Sequence, residues 1–128
     1  MVNGRFEKLA NLQKDKNNSE KKIRNTEKVR ELQKKIVSRK RNKLNRLNRE
    51  LNYLKKNKKG LSNNNYIRSK KTLENRVEYM KNEIENDEKL IRRHTQRIQD
   101  LKKLIKLANN IINSIITEQI LNTHVISG

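Results

Sequence analysis

Lys35, Arg39, Lys43, Arg46 and Arg49 follow one another at steps of four, four, three and three residues. On an α-helix that spacing sets five cations along one outward stripe. Lys34, Arg41, Lys55 and Lys56 fall on or beside its flanks. A file of cations neutralises successive phosphates of a nucleic-acid backbone and releases their condensed counterions, which is binding that reads no bases. Residues 34–59 hold twelve basic side chains against a single acid, Glu50. Asn42, Asn45, Asn48 and Asn52 recur beside the stripe, and an asparagine amide bonds either phosphates or base edges. These nine cations form the candidate nucleic-acid-binding set.

The whole chain supports a polyanionic partner. It has 128 residues, 33 basic and 14 acidic, for a net charge of +19. Nucleic acid is the first partner implied, with an acidic protein or an anionic membrane surface second. The bland alternative is a solvated face, since abundant Lys and Ile and 20 asparagines are what an AT-rich coding sequence produces. Such a bias does not favour arginine, of which there are 12.

Residues 39–49, RKRNKLNRLNR, resemble the arginine-rich helices of RNA-binding peptides, and the resemblance implies contact with RNA. It covers about a tenth of the chain. The same segment faintly resembles the basic region of leucine-zipper factors, but only Leu44, Leu47, Leu51 and Leu54 follow before Gly60. Residues 58–62, KKGLS, together with the VNGR start, look somewhat like pieces of delta antigens, basic coiled-coil proteins that coat a viral RNA. The prolines and tryptophan expected of that family are missing, and the family is not adopted.

Other chemistries find little footing. There is no cysteine, so thiolate metal sites and disulfides are excluded, and three glycines cannot make a phosphate loop. His94 reads as a polar seam residue and His124 as part of a tail. No carboxylate pair, nucleophile–base constellation or metal-spaced cluster stands out. The expectation is a protein that is not an enzyme and uses no cofactor or metal. Phe6, Tyr53, Tyr66 and Tyr79 are scattered, which predicts no base-stacking platform and backbone-directed binding tolerant of sequence.

The elements that must carry the stripe follow from a seven-residue repeat. Val77, Ile84, Ile91, Ile98, Ile105 and Ile112 occupy position a, with Leu73, Met80, Asp87, His94, Leu101, Ala108 and Ile115 at d. Such a repeat keeps one helix seam against a partner helix. Counting back from Leu54 in threes and fours gives a matching seam through Leu51, Leu47, Leu44, Lys40, Val37, Gln33, Arg30, Thr26 and Ile23 to Leu12 and Leu9. The strong break lies at 58–65. There Gly60 suits a helix C′ position, and Ser62 or an asparagine suits the next N-cap.

A fold at Ser62 pairs positions whose numbers sum to 124, so that Leu51 meets Leu73, Leu47 meets Val77, Leu44 meets Met80, Ile23 meets Leu101 and Leu12 meets Ile112. Asp87 falls near Lys40 and Lys34. The predicted architecture is all-α: a single elongated domain, an antiparallel two-helix coiled-coil hairpin, with helix 1 over about 5–58, a turn at 59–65, helix 2 over about 66–121 and a tail at 122–128. A parallel dimer of helix 2 competes, but it would set Asp87 and His94 against their own copies.

Apolar residues remain outside the seam. Val29, Leu32 and Ile36 form a second line on helix 1, and Leu90, Leu104, Leu107, Ile111 and Ile116 do so on helix 2. Beside seam residue Ile115, the set Leu104, Leu107, Ile111 and Ile116 predicts an oligomer or partner interface. Assembly into a dimer or four-helix bundle, or docking on a larger complex, would cover it. Residues 104–126 are interrupted by Lys106, Glu118 and several amides, which excludes a membrane span. The N-terminus shows no apolar signal region, and an intracellular place in cytoplasm, nucleoprotein or virion is expected.

Overall fold

A chain with no proline and almost no glycine has few places where a helix must stop. The computed structural model describes the backbone of residues 2–127, with side chains for residues 4–57 and 59–123. It is all-helical, with two long helices packed against each other. Helix α1 spans Val2–Lys56, a single 3₁₀ turn spans Lys58–Gly60, and α2 spans Asn63–Ser127. The described chain groups into two compact units, Arg30–Arg93 and the combination of Met1–Val29 with His94–Gly128.

The unit Arg30–Arg93 is a helical hairpin built around the turn. Val37, Met80 and Ile84 form its buried cluster, with Leu44 and Ile91 packed against it. Leu47, Leu51 and Val77 are buried as well. In the other unit Ile23, Ile98 and Leu101 are buried together, with Ile105 against them. Ile112 is buried there, and Arg5 pairs with Glu118 at 3.5 Å. Partners on α2 thus rise in number as those on α1 fall, which is antiparallel pairing. Every a and d position of the repeat from Leu73 to Ile115 is buried or half-buried, as is every seam position from Leu54 back to Leu9. The buried surface is a narrow stripe of β-branched and leucine side chains, as a two-helix seam requires.

The turn differs from expectation in one device. Gly60 does not end α1 as a left-handed C′ residue, for no glycine among the described residues has positive φ. Instead Asn57 closes the helix: its backbone N–H and its Nδ2 both donate to the Tyr53 carbonyl, at 3.0 and 2.9 Å. Gly60 N–H then reaches the Asn57 carbonyl at 3.4 Å, a tighter right-handed turn that needs no left-handed residue. Ser62 is the N-cap of α2, its Oγ accepting from the Asn65 N–H at 3.3 Å.

The boundaries also shift. α1 begins earlier and ends two residues sooner than expected, and α2 starts at Asn63. The expected tail at 122–128 is helical through Ser127. No breaker precedes Gly128, and hydroxyls such as that of Thr123, which bonds the Gln119 carbonyl at 2.8 Å, satisfy themselves within the helix. The side chain of His124 lies outside the described residues.

Candidate nucleic-acid interface

All nine predicted cations are exposed and all lie on α1 within the hairpin unit. Position on the helix explains this: each falls off the a/d seam, so packing leaves it in water. Residues 30–93 hold 21 of the basic side chains and eight of the acidic ones, against 12 and six in the other unit. The charge is therefore concentrated beside the turn.

Within that unit the acids gather on α2, beside eight basic side chains of the same helix. Six of its eight acids stand between Glu74 and Glu88 on α2. Three of these reach across to α1. Lys40 Nζ donates to Asp87 Oδ2 at 2.6 Å and lies 3.8 Å from Glu83 Oε2. Arg41 pairs with Glu88. The hydrogen bond to Asp87 holds the Lys40 ammonium above its ordinary pKa, with desolvation opposing and both carboxylates adding attraction. Tyr79 donates to Glu83, which raises its phenol above the ordinary value.

The stripe itself is left unneutralised. Among the described residues no carboxylate lies within ion-pair distance of Lys35, Arg39, Lys43, Arg46, Arg49, Lys55 or Lys56. Arg49 Nε donates to the Asn45 carbonyl at 3.4 Å, and its side chain is exposed. Lys34 does not join Asp87; it takes Glu31 one turn away, at 3.4 Å. Within one helix a three-residue step brings side chains together more readily than reaching across the seam. Arg41 and Lys34 are thus the two members with protein carboxylates, and an exposed pair of this kind is worth only about 0–1 kcal/mol, so phosphate can displace it.

Folding also adds residues that the sequence pattern omitted. Arg49 shares a groove of about 710 Å³ with Tyr53, Arg68, Thr72 and Arg76, and Lys43 shares a second with Arg76 and Tyr79. The signal was available. Arg68, Thr72 and Arg76 recur every four residues, and the sum-to-124 pairing sets Arg49 opposite Arg76 and Tyr53 opposite Thr72 to within one residue.

The expected apolar interface is only partly one surface. Leu104, Leu107, Ile111 and Ile116 are exposed, and Ile115 is half-buried in the seam. Leu104 and Ile111 share a flank with Leu107 beyond it. Ile116, five residues after Ile111, turns about 140° away to the other side of the seam. Among the described residues no group of His, Asp and Glu could hold a metal ion, and no helix is long and apolar enough to cross a membrane. No protein-family model, curated protein or solved structure matches the chain.

Proposed function

We propose that this chain is a small basic coiled-coil structural protein that binds nucleic acid through backbone phosphates inside a larger assembly, such as a phage or viral particle, a nucleoprotein or a ribosome-associated complex. One observation carries the reading: the α1 stripe stays exposed and without protein counter-charges, although the hairpin places six acids on the neighbouring helix. Three of those acids meet Lys40 and Arg41, and none meets Lys35, Arg39, Lys43, Arg46 or Arg49, which are left to an outside anion. Catalysis has no place in this reading, nor has any cofactor. Its working place is inside the cell or particle, and oligomerisation or docking through Leu104, Leu107 and Ile111 would hold it in the assembly.

The test is titration of the full chain with duplex and single-stranded oligonucleotides across a salt series. Replacing Arg39, Lys43, Arg46 and Arg49 by Gln should spare helicity while lowering the slope of log K against log salt by about 0.9 per lost contact on duplex, or about 0.7 on single strands. Equal loss from Lys102→Gln with Lys103→Gln would move the site away from the stripe. A wild-type chain that binds no nucleic acid at low salt would overturn the reading. It would leave the second one, an adaptor whose basic face meets an acidic protein, which rests on the same exposed cations and the uncovered leucines of α2.

A further inference from the structure

The groove beside the turn departs from a simple phosphate track, because an exposed aromatic ring and an acid stand among its arginines. α2 contributes Arg68, Thr72 and Arg76, one every four residues, which spaces the backbone positions of the two arginines about 12 Å apart along the helix. α1 contributes Arg49, Glu50 and Tyr53, with Leu54 and Leu73 also lining the groove. Tyr53 is 70% exposed, an unusual position for a ring that no core requires. Its carbonyl is used by Asn57, which fixes the backbone beneath it. Neither Arg68 nor Arg76 pairs with a carboxylate among the described residues.

We propose that this groove seats an unpaired nucleotide of a single-stranded nucleic acid, with phosphates along Arg68 and Arg76 and the base against the Tyr53 ring. The inference rests on the nucleic-acid reading above and adds a base contact to it. Charge complementarity orients the strand. Arg68 and Arg76 on the α2 wall and Arg49 on the α1 wall draw phosphate, whereas Glu50 repels it and leaves the space beside Tyr53 to the base. A ring stacked on a base tolerates any sequence, because each base has a π-face. In a duplex the bases are already stacked on one another, so the groove selects single strands.

The experiment measures binding of the full chain to a labelled twelve-nucleotide poly-uridine strand and to a duplex of equal length. Tyr53→Leu should weaken single-strand binding roughly tenfold, as loss of one stacked base does, and leave duplex binding and the salt slope unchanged. Tyr53→Phe should restore the wild-type affinity. Arg68→Gln and Arg76→Gln should each lower the single-strand slope by about 0.7. Equal loss on both substrates in Tyr53→Leu, or no loss on either, would overturn the groove while the α1 stripe stood. Absence of binding by the wild type to both would overturn the nucleic-acid reading and the groove together. Because Tyr53 is exposed, circular dichroism should show unchanged helicity in each Tyr53 variant, so a binding defect is not an unfolding defect.

Discussion

Lys40 and Asp87 occupy seam positions on α1 and α2, and the 2.6 Å bond from Lys40 Nζ to Asp87 Oδ2 spans the helix pair. Both side chains are about three-quarters covered. A charge pair at this depth contributes to choice of register as much as to stability, because a slipped alignment would leave either group facing leucine or isoleucine. Asp87→Ala should cost roughly 1–3 kcal/mol by thermal unfolding, since Lys40 keeps only the more distant Glu83. The double variant Lys40→Met with Asp87→Leu should recover that loss or exceed the wild type. Additive losses in the two single variants would show that the pair is not coupled.

The same pair predicts a pH response with a definite sign. Lys40 has a folded pKa raised above its ordinary 10.5, chiefly through the bond to Asp87. A raised cation contributes stability that is fully present below the unfolded value and is lost as pH rises through the folded one. Melting temperature should therefore fall above pH 10.5 more steeply in the wild type than in Lys40→Met. Parallel melting curves for the two chains over that window would contradict the pairing.

Burial separates two apolar groups that look alike in sequence. Ile98 is 3% exposed, within the cluster of Ile23, Leu101 and Ile105, while Leu107 is 58% exposed. Ile98→Ala should cost about 2–5 kcal/mol through lost contacts and a residual cavity, and Leu107→Ala within about 0.5 kcal/mol. Urea denaturation followed by circular dichroism compares them directly. Similar losses would mean that Leu107 is covered in solution by a second copy or partner.

The seam was legible because the heptad is a one-dimensional pattern: residues such as Ile84, Ile98 and Leu101 announce their burial by spacing alone. Pairing by a common sum sets Lys40 opposite Ile84, and Asp87 stands one seam step beyond Ile84, within reach of the lysine. What escaped had a different physical basis. Glycine supplies a left-handed cap cheaply, which is what Gly60 suggests in the sequence, yet Asn57 and a 3₁₀ turn close the helix instead. Tyr53 and Tyr79 looked scattered because they are 26 residues apart in sequence. They line grooves that share Thr72 and Arg76, a relation that depends on the flanks of both helices at once. The split of the cations into paired Arg41 and unpaired Arg39 likewise required knowing which flank faces Glu88.

The apolar flank of α2 gives a prediction about assembly. Leu104 and Ile111 are exposed on one side of the seam and neither belongs to a buried cluster of the chain. Leu104→Lys with Ile111→Lys should therefore leave the helix pair folded while lowering the oligomer order or releasing a bound partner. Sedimentation gives the mass and circular dichroism the helicity. Unchanged mass and unchanged partner binding would show that this flank is simply wet.

A pair of cysteines tests the chain path itself. Leu47 and Val77 are both buried in the hairpin unit, and their numbers sum to 124, the value set by the fold at Ser62. That pairing sets the two positions opposite each other on the seam, the arrangement a disulfide needs. Leu47→Cys with Val77→Cys should oxidise to a monomeric loop that migrates faster than the reduced chain in denaturing electrophoresis, at any protein concentration. Dilution distinguishes the alternatives, because a bond between copies forms less as the chain is diluted and one within a chain does not. A covalent dimer as the sole oxidised product would replace the intramolecular hairpin with a swapped or parallel pair, in which Lys40 and Asp87 would meet between chains.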